Sequence, residues 1–339
     1  MPMRATPGEG TMRVEVDKMA SGRFSEILET VTPLFLGGAD PRGEPELRAA
    51  SIRGALRFWL RALLGGVIGD DENALKALRQ AEAAVFGSTD AGASPVVVRV
   101  TGNVRHADYR PLLHNPKKTF TFKGIMPGET FSLELVPRPP YNSVSPVVAS
   151  TTALWLLLGG VGKRARRGFG TLRLRENEED FLFTPEAYKD VEEFKKILGQ
   201  VIKQAQDDAK SFISALSIAP GSFSPTPTFP IFHPDYIKIL LCKQQFEKWE
   251  QAMKEFWSLL RSDPYRDDPV FGFAGNIGRQ ASPLHLRIVK IESKYHLLMT
   301  AFRSRFASSS PDWKKLQEFL NDCKKNWKGT WLIGENHSW

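Results

Sequence analysis

The sequence predicts an α+β protein made of two tandem ferredoxin-like (RRM-like) domains, and three observations lead to this prediction. Strand-like alternation and helix-like periodicity follow one another in the order βαββαβ between residues 24 and 175. The same order recurs, without obvious sequence identity, between residues 228 and 333. A long amphipathic pattern at 190–217 predicts a helix that bridges the two units. We therefore expect an N-terminal domain at residues 1–189 and a C-terminal domain, led by the bridge helix, at residues 190–339.

The elements of the first domain follow from their apolar patterns and turn residues. Ser51 is expected to cap the first helix, and Gly87 to end the second. In order, the predicted elements are strand 24–36, helix 51–64, helix 72–85, strand 95–100, a hairpin of strands 119–125 and 129–136, helix 147–158 and strand 170–175. The hairpin strands are long enough to project beyond the sheet as a finger.

The second domain is read in the same way. Its predicted elements are an apolar first strand within 228–241, helix 246–260, strands 284–291 and 295–303, helix 311–326 and a short strand at 331–333. The Gly-rich segment 271–284, which carries Arg279, predicts a simple loop, with a second RNA or subunit contact left open.

Composition limits the functional classes. The 339 residues are 42% hydrophobic and 25% charged, as in ordinary globular proteins, and the net charge of +8 favours an anionic partner. No apolar run is long enough to span a membrane, and no signal-peptide core is recognisable, so we expect a cytoplasmic protein without a membrane partner. Cys242 and Cys323 are far apart and predict neither a disulfide framework nor a zinc site, and no cofactor is expected.

The segment 159–173, GGVGKRARRGFGTLR, is the strongest functional signal. Glycine lets a backbone adopt positive φ and approach another backbone closely, while Lys and Arg neutralise phosphate. The segment predicts an RNA-binding loop in which Gly160, Gly162, Gly168 and Gly170 shape the backbone and Lys163, Arg164, Arg166 and Arg167 supply the charge. A flexible basic surface turn is the alternative that the residues leave open.

Two other nucleotide-binding motifs fail in this segment. A dinucleotide fingerprint needs a strand before it and a helix after it, which is the reverse of the order here. A P-loop needs a glycine where the chain has Leu157 and a Ser or Thr where it has Arg164. The string 167–170, RGFG, matches only the opening of the RNA-recognition signature, so Phe169 is the one aromatic residue expected to stack on a base.

A second basic feature lies on the first predicted helix. At 100° per residue, Arg53, Arg57 and Arg61 form one stripe, with Arg48 upstream, and phosphate oxygens would offset their mutual repulsion. A solvated face with acidic partners in the folded protein is the alternative. Lys117 and Lys118, in the basic loop before the hairpin, complete the predicted RNA-binding set.

Three sequence blocks carry a resemblance to a known family: 32–63 (TPLFLGGADPRGEPELRAASIRGALRFWLRAL), RRGFGTLRL at 166–174 and GRQASPLHLR at 278–287. Together they resemble the RAMP superfamily of CRISPR proteins, and within it the first-numbered RAMP subunits of type III-B Cmr effector complexes. The resemblance implies tandem ferredoxin-like domains, no intrinsic catalytic activity, and a place near the end of the complex. It also implies single-stranded CRISPR RNA, target RNA and other Cmr subunits as partners. The family's Gly-rich loop corresponds to 159–170 and its Arg-bearing helix to Arg48, Arg53, Arg57 and Arg61.

Two alternatives to a non-catalytic RNA-binding subunit remain. Some members of the superfamily cleave CRISPR RNA without metal, which requires an acid and a base, and His106 or His114 could supply these. The other alternative is a scaffold that contacts only protein, through hydrophobic loops and the 119–136 hairpin.

Overall fold

The first four-stranded sheet has the topology that the sequence predicts. The computed structural model describes residues 24–38, 40, 43–113, 119–175, 183, 185–275, 278–306, 310–335 and 339. In this structure the sheet is antiparallel, and its strands, numbered in chain order, are arranged as β2-β5-β1-β6. Its strands are β1 (Phe24–Thr30), β2 (Val96–Thr101), β5 (Thr130–Pro137) and β6 (Leu172–Leu174). Helices α1 (Ala49–Ile68), α2 (Glu72–Phe86) and α3 (Ser145–Leu158) provide its connections.

The second sheet repeats this arrangement with the order β10-β11-β7-β12, again antiparallel. Its strands are β7 (Ile237–Cys242), β10 (Leu284–Ile291), β11 (Lys294–Phe302) and β12 (Gly329–Ile333). Helices α5 (Trp249–Leu260) and α6 (Trp313–Asn326) belong to it, and α4 (Val191–Ala215) precedes it. Both sheets place the first strand between the third and the fourth, so the ferredoxin-like fold class is confirmed.

The predicted hairpin of 119–125 and 129–136 is wrong. Strand β4 (Phe122–Ile125) pairs with β3 (His106–Tyr109), in the register Tyr109↔Phe122 to His106↔Ile125. Strand β5 lies in the sheet between β1 and β2 instead. Leu34 and Ile125 exchange two backbone hydrogen bonds of 3.0 Å, which hold β4 beside the chain that follows β1. No finger is therefore formed by these two strands.

Helix α3 is apolar on every side, and all but one of its residues are buried. It packs against α1, α4 and β6, and it leads directly into the Gly-rich loop. The core around it is shared by both halves of the chain, because Val289, Leu298 and Phe302 of the second sheet belong to the same hydrophobic cluster. The loop therefore starts from a buried helix that packs against both halves of the chain.

The helix ends have clear local causes. Asp71, Asp190 and Asp312 each accept a hydrogen bond from a first-turn backbone N–H of α2, α4 and α6. Gly87 ends α2, as predicted. The predicted cap Ser51 lies inside α1, which begins at Ala49 and has no side-chain cap.

Strands β8 (Phe273–Gly275) and β9 (Gly278–Gln280) form a small pair within the segment predicted as a simple loop. Cys242 and Cys323 are buried free thiols whose pKa values burial raises. Among the described residues, no helix is both long and apolar enough to cross a membrane.

Candidate nucleic-acid interface

The Gly-rich loop is closed at its neck by backbone contacts. The N–H of Val161 donates to the carbonyl of Gly170 at 3.0 Å, and the N–H of Gly170 donates to the carbonyl of Pro33 at 3.0 Å. Gly170 has a φ of +65°, and a Cβ at this position would lie 1.9 Å from the carbonyl oxygen of Val161. Only glycine fits this neck without moving its backbone.

A second close approach positions Lys163. Its backbone N–H donates to the carbonyl of Phe35 at 2.9 Å. The preceding Gly162 has a φ of +86°, and a Cβ there would meet that same carbonyl at 2.5 Å. The side chain of Lys163 is exposed. The loop thus fixes one exposed cation relative to Phe35.

Arg287, on β10, joins both ends of the loop. Its guanidinium is 1% exposed and donates to the carbonyls of Gly159 and Leu172. Burial lowers its pKa to about 10, and nearby Tyr188 opposes this shift. In the sequence Arg287 follows a Gly-rich segment, but this position does not reveal its role, because both carbonyls that it binds are far from Arg287 in the sequence.

Two arginines of the loop contact the second Gly-rich segment. Arg166 donates to the carbonyl of Ser282 at 2.9 Å, and Arg167 to the carbonyl of Phe271 at 2.8 Å. Their guanidinium groups also lie over the rings of Phe58 at 5.1 Å and of Trp257 at 5.2 Å. Segment 271–284 therefore contacts the loop within the chain.

These contacts give the loop arginines a structural role that the sequence did not reveal. Burial lowers the pKa values of Arg164 and Arg167 to about 10 and that of Arg166 in the same direction. At neutral pH all three still carry charge. The carbonyls of Ser282 and Phe271 compensate Arg166 and Arg167 for the loss of water, and the guanidinium of Arg164 lies 6.0 Å from the ring centroids of Phe169 and Trp257. RNA contact by these three side chains stays a prediction.

The expectation that Phe169 stacks on a base is wrong. Its ring is 0% exposed and packs 4.9 Å from the ring of Phe35 and 6.1 Å from that of Trp249. The flanking Gly168 and Gly170, with φ of +88° and +65°, turn the chain so that the ring points into the core. Phe169 therefore anchors the loop to the hydrophobic core through its contacts with Phe35 and Trp249.

The arginine stripe of α1 is partly engaged in packing α2. Arg57 lies 3.2 Å and Arg61 3.5 Å from carboxylate oxygens of Glu82. Arg57 also donates to the carbonyl of Gly87 at 2.6 Å, which satisfies an unpaired carbonyl at the end of α2. Arg53 is half-buried, and its Nε has no hydrogen-bond partner among the described residues. Arg57 and Arg61 therefore have the acidic partner that the alternative interpretation of the stripe requires.

A cleft of about 470 Å³ lies beside Lys163. The residues that line it are Phe35, Leu36, Gly37, Gly43, Asp108, Phe120, Thr121, Phe122, Lys123 and Lys163. Lys163 Nζ lies 5.4 Å from the centroid of the Phe122 ring. Arg48, which is exposed, donates to the carbonyl of Gly37 at 3.3 Å and so sits at the edge of the same cleft.

The structure thus brings Arg48 and Lys163 together and adds three residues that sequence reasoning did not select: Phe120, Phe122 and Lys123. The alternation Phe-Thr-Phe-Lys at 120–123 could have indicated Phe120 and Phe122, since alternate strand residues share a face, but it gives no such signal for Lys123. Lys117 and Lys118 lie outside the described residues.

Charge around the cleft is mixed. Lys123 and His106 both pair with the carboxylate of Glu44, and His106 Nε2 lies 2.7 Å from a Glu44 oxygen. Lys123 lowers the pKa of Glu44 and has its own pKa raised in return. Asp108 adds an exposed carboxylate to the lining. The cleft has cations at its edge without being a purely basic pocket.

The described histidines other than His106 are engaged elsewhere. His285 is buried against Phe58, and burial holds its pKa well below the usual value. The Nδ1 of His296, also buried, lies 3.2 Å from the carbonyl of Cys242. The predicted candidate His114 lies outside the described residues. Among those residues, no group of three or more His, Cys, Asp or Glu side chains could hold a metal ion.

Comparison with known proteins finds similar sequences. The profile of the RAMP superfamily matches residues 27–173, from β1 to β6 and including the loop. Two similar proteins come from Pyrococcus furiosus. CRISPR system Cmr subunit Cmr1-2 is 34% identical over 46% of this chain and 96% of that protein. Cmr subunit Cmr1-1 is 28% identical over 86% of this chain and 92% of that protein.

Solved structures show the same fold. The crystal structure of Cmr1 from Pyrococcus furiosus in its apo form is similar with a TM-score of 0.65 and 22% identity, over 92% of this chain and 99% of that one. A chain of the cryo-EM structure of type III-B Cmr-beta bound to cognate target RNA is similar with a TM-score of 0.55 and 12% identity, over 89% of this chain and 98% of that one.

Proposed function

Because the chain belongs to the RAMP superfamily, and within it to the Cmr1 subunits of type III-B Cmr complexes, we propose that it is a non-catalytic RNA-binding subunit of such a complex. Its RNA is single-stranded CRISPR RNA or target RNA, and its protein partners are other Cmr subunits, in antiviral defence in the cytoplasm. The observation that carries the proposal is the exposed Lys163, which the Gly-rich loop holds at the edge of an aromatic cleft. The target-RNA-bound Cmr-beta complex, to which this fold is similar, supports it.

Lys163 and Arg48 are the leading candidates for phosphate contacts. Both are exposed, and both lie at the cleft, where the backbone N–H of Lys163 donates to the carbonyl of Phe35 and the side chain of Arg48 donates to the carbonyl of Gly37. We propose further RNA contacts at the other predicted arginines, because their charge raises the local positive potential even where they pack within the chain. These are Arg53, Arg57, Arg61 and the three loop arginines. Such contacts favour RNA of any sequence.

The domain division at 189/190 is part of the proposal. The two sheets support a division near this point, whereas α4 packs on α1 and α3 of the first half. The bridge helix thus fixes the N-terminal helices as well as leading into the second half.

The absence of catalysis is likewise proposed. Metal-independent cleavage needs a base and an acid around one ribose. His106, paired with Glu44 at 2.7 Å, is one candidate, whereas His285 and His296 are buried and cannot reach a ribose at the surface. Metal-free cleavage of repeat RNA by the purified chain, lost on His106→Ala, would favour the endoribonuclease instead.

A single substitution tests the RNA interface. Lys163→Ala is expected to weaken binding of single-stranded RNA similarly for all sequences and to reduce the slope of log K against log salt by about 0.7, the value for one phosphate contact. Lys210→Ala on α4 is the matched control, because Lys210 is also exposed but lies outside the cleft. A gel shift at two salt concentrations measures both quantities.

Equal affinity and equal slope for Lys163→Ala and the unchanged protein would contradict the proposed interface. Substituting all four basic residues of the loop is a poorer test, because Arg166 and Arg167 hold the loop against segment 271–284.

A further inference from the structure

We propose that the cleft beside Lys163 binds a single unstacked nucleobase of the RNA, with the ring of Phe120 as its stacking surface and Lys163 near the adjoining phosphate. The inference rests on the proposed RNA-binding function and deepens it, since it identifies which part of a nucleotide this site recognises.

Phe120 is unusual in its exposure. Its side chain is 46% exposed, and Tyr141, at 48%, is the other strongly exposed large hydrophobic residue in the described part of the chain. An apolar ring left in water gains free energy when a flat partner covers it. Phe120 lines the cleft, so a molecule that enters the cleft can reach this ring.

The ring of Phe120 packs on a series of aromatic side chains that reaches the core. Phe120 packs on Phe122 with centroids 5.6 Å apart, and Phe122 packs on Phe35 at 5.6 Å. Phe35 is 1% exposed, and its carbonyl accepts the hydrogen bond from Lys163. Phe35 therefore positions both Lys163 and, through Phe122, the ring of Phe120. Because the two groups are already in place, less conformational entropy is lost when RNA binds.

The chemistry of the lining favours a nucleotide over a free anion. Asp108 lies in the cleft and Lys123 is paired with Glu44, so a phosphate inside the cleft would meet carboxylates. An uncharged base avoids this repulsion, while Lys163, exposed and 5.4 Å from the Phe122 ring, can reach a phosphate outside. The volume of about 470 Å³ falls in the range of roughly 300–1,000 Å³ typical of small-ligand sites.

Base stacking predicts an effect distinct from that of charge. Phe120→Ala should weaken binding of single-stranded RNA roughly 5- to 150-fold, the range that loss of one base–aromatic stack gives. It should leave the salt slope unchanged, because no phosphate contact is lost. It should also leave binding of an oligomer of the same length with abasic ribose-phosphate units unchanged, since that ligand has no base to stack.

Fluorescence anisotropy of the full-length chain with both labelled oligomers tests this inference. Phe120→Trp should retain affinity because it keeps a flat aromatic ring, and Tyr141→Ala should have no effect because Tyr141 matches the exposure of Phe120 but does not line the cleft. Circular dichroism checks that each variant is folded. A second readout is quenching of 2-aminopurine in the RNA, which should disappear in Phe120→Ala.

Two results would overturn the inference, and they differ in meaning. The stacking site would be refuted if Phe120→Ala bound base-containing RNA as tightly as the unchanged protein, or if it weakened binding of the abasic oligomer to the same extent. Either result would leave the proposed RNA-binding function intact. If the unchanged protein bound neither oligomer at low salt, the proposed RNA-binding function would fall, and the base site with it.

Discussion

Replacing Gly170 by alanine perturbs the neck of the Gly-rich loop at one point. An added Cβ would lie 1.9 Å from the carbonyl oxygen of Val161, which is a backbone atom and cannot rotate away. The same two residues share the hydrogen bond from the N–H of Val161 to the carbonyl of Gly170, 3.0 Å long. Relief of the contact therefore requires the two sides of the neck to separate.

The magnitude follows from two contributions. The φ of +65° costs an L-residue about 1–2 kcal/mol, and the backbone shift adds about 1–3 kcal/mol, the usual cost of overpacking. The smaller entropy of the unfolded chain offsets about 0.4–1 kcal/mol. We expect Gly170→Ala to lower the free energy of unfolding by about 1–5 kcal/mol, with the middle of that range near 3 kcal/mol.

Urea unfolding followed by circular dichroism at 25 °C measures this difference. Gly54→Ala is the matched control, because Gly54 lies within α1 and a Cβ there would meet no heavy atom within 4 Å. Alanine at this exposed helical position should raise the free energy of unfolding by up to about 1 kcal/mol. If the two variants changed stability by the same amount and sign, the close approach at Gly170 would not be the cause, and the reasoning about the neck would be refuted.

Two further predictions concern single residues. Arg57→Ala removes the ion pair with Glu82 and the hydrogen bond to the carbonyl of Gly87, so it should lower the free energy of unfolding by about 1–3 kcal/mol. It should weaken RNA binding less than Lys163→Ala does. Thermal unfolding measures the stability, and the gel shift measures the RNA affinity. Burial raises the pKa of Asp208 above its ordinary value of 3.8, so the folded protein holds this proton more tightly than the unfolded chain and loses stability as pH rises from about 4 through the raised pKa. Asp208→Asn should be more stable than the unchanged protein at pH 7 and about equal at pH 3, and equal differences at both pH values would contradict this.

Most helices and strands could be predicted from sequence, because their signals are local. The predicted helix at 190–217 is observed as Val191–Ala215, and the predicted strand at 284–291 as Leu284–Ile291. Amphipathic periodicity and alternation depend on neighbours a few residues away, which the sequence lists directly. The order of these elements then restricts the topology to very few arrangements, and both sheets adopt the ferredoxin-like one.

Strand partners and side-chain environments were predicted less well. The sequence predicted that β4 pairs with the strand that follows it, whereas β4 pairs with β3, and its Ile125 exchanges backbone hydrogen bonds with Leu34, 91 positions earlier in the sequence. The sequence identified Phe169 as the exposed aromatic residue and passed over Phe120, yet Phe169 is 0% and Phe120 46% exposed. Burial of Phe169 depends on Phe35 and Trp249, which are distant in sequence.

The amino-acid sequence was enough to predict the two βαββαβ units, the position of the Gly-rich loop and its positive charge. The distribution of that charge between interior and surface follows from the fold: Arg166 and Arg167 donate to the carbonyls of Ser282 and Phe271, while Lys163 is exposed beside the cleft. Charge is a property of a residue, whereas its exposure depends on which distant backbone carbonyls and aromatic rings the fold brings within reach of it.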